Sequence, residues 1–220
     1  MGVVKRATIA GIAWALIASA VGAEAPWHVI MKERGIVVST RDEPGRELPS
    51  FRGQGMLNMP VLHALAVVLD AEGAVQWAKG ADEVQTLRAF DPRTHLIYTR
   101  AHAPWPVSDR DMVVKRLIKV VDPGREFRVE MTCMTGQRPD TKRVVRVSDC
   151  SSHFLLRQVS PTQTYTEYQV SIDPAGSLPA WLVRWASKNI PFETLVSLEE
   201  RVRDTQPQYA AAAQRWASAQ

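Results

Sequence analysis

The chain has 220 residues, 45% of them apolar and 23% charged. That is ordinary globular composition and excludes collagen-like, low-complexity and disordered classes. Twenty-seven Lys and Arg face 23 Asp and Glu, a net +4; with Lys5 and Arg6 set aside only +2 remains. No concentrated basic stripe is present, so nucleic acid is not an indicated partner.

Lys5 and Arg6 open the chain as a positive n-region. Residues 7–20 carry no charge, and Val21-Gly22-Ala23 supply small residues at a cleavage position. This is the layout of a secretory signal peptide over residues 1–23, and about 15 to 17 apolar residues are too few for a comfortable membrane span. An uncleaved N-terminal anchor is the alternative. Cleavage would leave a soluble, periplasmic or secreted protein with one domain over 24–208 and a loosely ordered tail over 209–220. A monomer is expected.

The mature chain opens with Gly35 to Thr40, a β-branched run stopped by Asp42-Glu43-Pro44-Gly45. Residues 50–58 alternate weakly and contain Gly53 and Gly55, which predicts a bent strand. Pro60 opens a helix with Leu62, Leu65, Ala66 and Leu69 on one face. Residues 70–79 read as a short helix or loop over the core.

From Asp82 the apolar period becomes two. Strands are predicted around 84–89, 96–103, 112–122, 127–133, 153–160 and 164–172, an antiparallel meander. In the third of these, Val114, Arg116 and Ile118 share a face. Asp173-Pro174-Ala175-Gly176 ends the sheet; Ser177 caps a helix, with Pro179 in its first turn. Trp181, Leu182, Trp185, Ala186 and Asn189 make one broad face of that helix. Pro191 interrupts it, and Phe192, Leu195, Val196, Glu199 and Val202 continue the stripe. A sheet must cover one face, so this amphipathic helix is expected across it, an α+β architecture.

Cys133 and Cys150 are the two cysteines. A hairpin symmetric about residues 141 and 142 sets them opposite each other, and an exported chain favours a disulfide. Two buried thiols acting as small apolar groups are the alternative.

Catalytic spacings are missing. No G-x-S-x-G elbow occurs, and the five histidines show no zinc-ligand spacing, so neither a catalytic residue nor a metal or other cofactor is expected. Gly53-Gln54-Gly55 does not open a dinucleotide-binding unit. Asp109 and Asp111 flank Arg110, which reads as turn capping and ion pairing around the arginine; a paired-carboxylate site is the sharper alternative.

The distinctive segment is Pro104-Trp105-Pro106-Val107-Ser108-Asp109-Arg110-Asp111. Its prolines favour an extended, rigid link with Trp105 wedged between them. It resembles the P-W-P-x-S-x-R-D signature of the StAR-related lipid transfer (START) domains. Asp70 and Trp77 are similar to the family's "L-D … W" segment, Gly35-Ile36-Val37-Val38 to its opening strand, and Asp173 to Val183 to the start of its last helix. The resemblance implies a helix-grip fold: a curved antiparallel sheet wrapped around a long C-terminal helix, with an interior tunnel for one lipid or sterol-like molecule. It implies a carrier rather than an enzyme, in transient contact with membrane surfaces.

Arg116 is the candidate polar group of such a tunnel, with Val114 beside it. Some family members pair a buried arginine there with an acid on the preceding strand, but residues 96–103 hold no Asp or Glu. A ligand anion or another acid completes the site, or the side chain snorkels to water. Trp181, Trp185, Phe192, Leu195 and Val196 are candidate lining residues of the helix, and Tyr98 reaches the tunnel in one of two strand parities. Two other readings stand: a cyclase-like enzyme using His102, His153 or Asp111, and an envelope interaction module with a vestigial cavity.

Overall fold

The computed structural model describes residues 25–46, 48–176 and 178–218. The expected signal peptide and the Ser177 cap lie outside the described residues. Among the described residues there are ten strands: β1 (His28–Glu33), β2 (Ile36–Arg41), β3 (Ser50–Leu57), β4 (Ala81–Asp91), β5 (Thr94–Ala101), β6 (Arg110–Asp122), β7 (Glu126–Cys133), β8 (Val145–Arg146), β9 (Asp149–Ser160) and β10 (Gln163–Asp173). Helix α1 (Val61–Leu69) follows β3, a 3-10 turn covers Glu72–Gln76, and α2 (Ala180–Gln214) closes the chain.

Nine strands form one antiparallel path, β1-β2-β3-β10-β9-β7-β6-β5-β4; two-residue β8 pairs parallel to β6. β1 escaped sequence reading because it is an exposed edge strand with no buried face to impose a period. Arg34 and Gly35, both at positive φ, join it to β2 in a two-residue turn that suits the twist of the hairpin.

The concave face carries α1 and α2. Helix α1 buries Val61 and every residue from Ala64 to Val68, so it is a core helix on most sides. Leu195, Leu198 and Val202 of α2 pack with Leu65 and Val67 of α1, Val38 and Leu57 of β2 and β3, and Phe127, Val129 and Leu156 of the central strands. The close approach of α2 depends on Gly53. A Cβ there would sit 2.8 Å from the Pro191 carbonyl oxygen, where only hydrogen fits.

The end of the chain corrects the expected loose tail. Helix α2 runs to Gln214 with one non-helical residue, Thr205, two positions before Pro207. The kink lets Pro207 stand in a first turn, where its missing N–H costs little. Tyr209 and Ala213 are buried, and Trp216 meets Phe127 edge-on at 6.3 Å. The Tyr209 hydroxyl donates to Asp70 Oδ2 at 2.6 Å. Polar Gln206, Gln208 and Gln214 around an alanine run hid this helix, whose buried residues lie widely spaced along it.

Cys133 and Cys150 form a disulfide, Cα atoms 5.0 Å apart. The β7–β9 register, Thr132 against Ser151, brings them face to face.

The Pro104–Asp111 segment is a turn rather than an extended link. The Trp105–Pro106 peptide is cis, and Trp105 is 91% exposed rather than wedged. Nor do the two aspartates pair with Arg110. Asp109 accepts from Arg100 Nη2 at 2.6 Å and from the Ala103 N–H, and Asp111 from Arg146 Nε at 2.7 Å. Arg110 instead donates to the Pro174, Ala175 and Ser108 carbonyls. It thereby fastens the start of β6 to the loop that leads into α2, which accounts physically for the two distant motif blocks.

Candidate functional site

The core does not fill the whole concave face. Toward β4, β5 and β6 the helices thin out, and a hollow of about 250 Å³ remains. Alternation on the strands builds its wall: Val84, Ile97, Thr99, Met112, Val114 and Arg116 on one side, and Met131, Phe154, Tyr168, Val170 and Ile172 on the other. Val68, Ala71 and Trp77 cover it from the α1 side, and Ile190 and Thr194 from α2. Phe154 stacks on Tyr168 at 4.4 Å, and Trp77 meets Phe154 edge-on at 6.4 Å. Burial pushes the Tyr168 phenol up to about 12, so it stays neutral.

A second apolar hollow, about 190 Å³, lies between the Pro104–Val107 turn and the first turns of α2. Ile172 and Ile190 border both hollows and separate them. A larger depression of about 490 Å³, lined by Lys79, Glu200, Arg201 and Asp204 as well as Val75, Trp77 and Ala78, is mostly polar.

Arg116 is the charged side chain of the apolar hollow that lies deepest, 5% exposed. Burial pushes its guanidinium down to about 10, with the charges of Glu72 and Asp70 pulling upward. It remains protonated. Its Nη1 donates to the Leu69 carbonyl at 2.9 Å, at the C-terminal end of α1 where a cation is favoured. Among the described residues its Nε has no partner.

Of the residues singled out from the sequence, Arg116 and Val114 stand on the hollow wall. The others do not. Tyr98 lies on the opposite face of the sheet, packed with Leu96 and Val113 under the Arg138 guanidinium, and donates to Asp111 Oδ2 at 3.2 Å. Leu195 is in the main core, and Phe192 and Val196 pack against its edge. Trp181 is 51% exposed, and Trp185, 48% exposed, borders the second hollow. The helix presents Ile190 and Thr194 instead. Its stripe had been traced through the tryptophans, one helical face away from the residues that reach the wall. Ile97 and Thr99 were missed because the parity of β5 was undecided, although a fixed register against Val114 identifies them.

Among the described residues, no group of three or more His, Cys, Asp or Glu is placed to hold a metal. His102 pairs with Asp109 at 3.1 Å, its side chain 71% exposed, and His153 pairs with Glu167 at 3.0 Å on the face of the sheet away from the hollow.

A START domain family model matches residues 12–207. An uncharacterized protein of Pseudomonas aeruginosa is 24% identical over 200 residues, 90% of this chain and 96% of that protein. The phosphatidylcholine transfer protein of Rattus norvegicus is 24% identical over 169 residues, 75% of this chain and 78% of that one. In structure, a STAR-related lipid transfer protein fragment from Xanthomonas axonopodis superposes with a TM-score of 0.73 at 28% identity, covering 80% of this chain and 98% of the fragment.

Proposed function

The chain belongs to the START domain family, and from that premise we propose that it carries one apolar ligand in the hollow between sheet and α2, as a lipid carrier and not an enzyme. The observation that supports this reading is the hollow itself, apolar on nearly every side with one buried cation. Each methylene exposed to water costs about 0.8 kcal/mol, so lipids leave bilayers slowly and a dry wall offsets that cost without chemistry. Three groups that acid–base chemistry would call on, His102, His153 and Asp111, all lie away from the hollow wall. This weighs against the cyclase-like reading.

At about 250 Å³ the hollow falls just below the roughly 300–1,000 Å³ typical of small-molecule sites. A larger guest requires Ile172 and Ile190 to swing apart and join the two hollows. Val114→Trp is the corresponding test. Native mass spectrometry of the wild type, after exposure to vesicles that contain both one-chain and two-chain lipids, is expected to show one bound apolar molecule per chain, and the filled variant none. No ligand on the wild type, with no uptake of fluorescent lipid, would sink the carrier reading.

We further propose export to the periplasm or medium as a monomer. The uncharged stretch after Lys5 and Arg6 supports export, and the Cys133–Cys150 disulfide suits an oxidising compartment. The same reading includes transient docking on an anionic bilayer. Exposed Trp185 lines the second hollow, and exposed Trp105 and Trp181 are chain neighbours of its lining residues Pro104 and Leu182; all three carry amphipathic rings of the kind that sit at membrane interfaces. Arg184 and Lys188 lie on the same stretch of α2, and no acid occurs between Asp173 and Glu193. The triple change of these tryptophans to alanine is expected to weaken co-flotation with phosphatidylglycerol-rich vesicles about tenfold or more. Raised salt should weaken the wild type as well. Equal flotation of both proteins rejects this docking face.

A further inference from the structure

We propose that the ligand of the hollow is a single-chain amphiphile with an oxyanion head, a carboxylate or a phosphate monoester, held by Arg116. This deepens the carrier reading and rests on it.

The argument starts from an unbalanced charge. A guanidinium has five N–H donors in a planar fork. Among the described residues Arg116 uses one hydrogen bond, to the Leu69 carbonyl, and its Nε is buried without a partner. The two nearby acids are committed elsewhere. Asp70 accepts from the Gly73 N–H at 3.0 Å and from the Tyr209 hydroxyl at 2.6 Å, and Glu72 accepts from the Thr86 N–H at 2.9 Å. Neither forms an ion pair with Arg116. The end of α1 supplies only a fraction of a negative charge. A buried cation without a counter-charge is costly, and natural interiors pair such groups.

A second orphan stands beside the first. His95 is the cross-strand partner of Arg116, and its Nδ1 is also buried with no partner. Burial holds the His95 imidazole below its ordinary range, and the Arg116 charge adds to that effect. Two unfilled polar positions therefore sit on neighbouring strands, Arg116 on the wall of the hollow and His95 beside it in the β5–β6 register, behind the lining residues. An oxyanion supplies what Arg116 lacks, oxygens for the fork and a counter-charge, and so also offsets the Arg116 charge felt by His95. A neutral sterol hydroxyl or an ester carbonyl supplies an acceptor but no charge.

The volume sets the tail. About 250 Å³ equals roughly eight waters at about 30 Å³ each, room for one medium-length chain and not two. The chain would run from Arg116 past Met112 and Val170 toward Ile172, all apolar.

The experiment measures binding of four probes to delipidated protein: decanoate, decyl phosphate, decanol and methyl decanoate. The two acids are expected to bind about 30-fold or more tighter than the two neutral probes, the scale of a desolvated charge left unpaired. Which acid is preferred distinguishes a fatty acid from a phosphate head. Arg116→Met should erase the preference, so that the two acids bind the variant no tighter than decanol binds the same variant. Equal binding of all four by the wild type overturns this inference and leaves the carrier reading standing. Binding of none overturns both. Acid preference that survives Arg116→Met overturns the assignment to Arg116, and the wild-type comparison stands even if that variant fails to fold.

Discussion

Asp111→Ala is expected to destabilise the protein by about 3–5 kcal/mol, the cost of breaking a buried ion pair from one side. Asp111 is fully buried behind the sheet. Its carboxylate accepts from Arg146 Nε at 2.7 Å and Nη2 at 3.0 Å, and from the hydroxyls of Tyr98 and Thr141, each at 3.2 Å. Burial pushes the carboxyl up, but the Arg146 hydrogen bonds and charge, with those hydroxyls, outweigh it and hold the group below the usual carboxylate range. Alanine leaves Arg146 with the Arg138 and Pro139 carbonyls and a longer, 3.6 Å ion pair to the solvent-exposed Asp140. It also frees the segment that carries β8. For a chain of this size the loss corresponds to a fall in Tm of about 10 °C or more. Adding Arg146→Met should recover part of it, because the unpaired charge is then gone.

The pH dependence has a definite sign. A depressed folded pKa contributes stability that is complete above the unfolded value, about 3.9, and is lost as pH falls through the folded value. The gap between wild type and Asp111→Ala in urea unfolding should therefore be full at pH 7 and narrow below about pH 4. A gap that stays constant into acid would mean that packing, not charge, carries the effect.

Tyr209→Ala is expected to cost about 3–5 kcal/mol, as for other large buried aromatics. Tyr209 lies in the main core on the last turns of α2 and donates to Asp70 at 2.6 Å. Tyr209→Phe keeps the ring and loses the hydrogen bond to a charged acceptor, about 1.5–3 kcal/mol. Thermal and urea unfolding distinguish these from a loose tail, where neither change would exceed about 0.5 kcal/mol. The Asp70 contact also ties α2 to the turn that covers the hollow. A loss of ligand retention by Tyr209→Ala larger than its loss of stability would show that the end of α2 steadies that turn.

Local sequence determined a good deal. Period-two alternation is a direct consequence of a sheet with one buried face, and it located six strands, β4, β5, β6, β7, β9 and β10, while a β-branched run marked β2. The spacing of Cys133 and Cys150 about a hairpin centre sufficed to set them opposite each other. Prolines and turn residues marked the starts of α1 and α2. Val114 and Arg116 could be assigned to one face because residues two apart on a strand always share one.

Tertiary structure decided the rest, and the reasons are physical. A helix stripe broad enough to hold both tryptophans and leucines does not say which edge meets the core. Helix α2 continues through Pro191, and its close approach to β3 at Gly53 sets it so that Ile190 and Thr194, not Trp181 and Trp185, reach the hollow. Tyr98 depended on the register of β5 against β6, where a shift of one residue moves every side chain to the other face. The missing acid near Arg116 was visible as a gap in the strand before it. That Asp70 and Glu72 would approach from α1 and its following turn, and yet stay bonded elsewhere, was a question of three-dimensional proximity that no local pattern encodes. Volume is likewise a property of packing: only the assembled sheet and helices determine that part of the concave face is filled by its own core and part is left as a hollow.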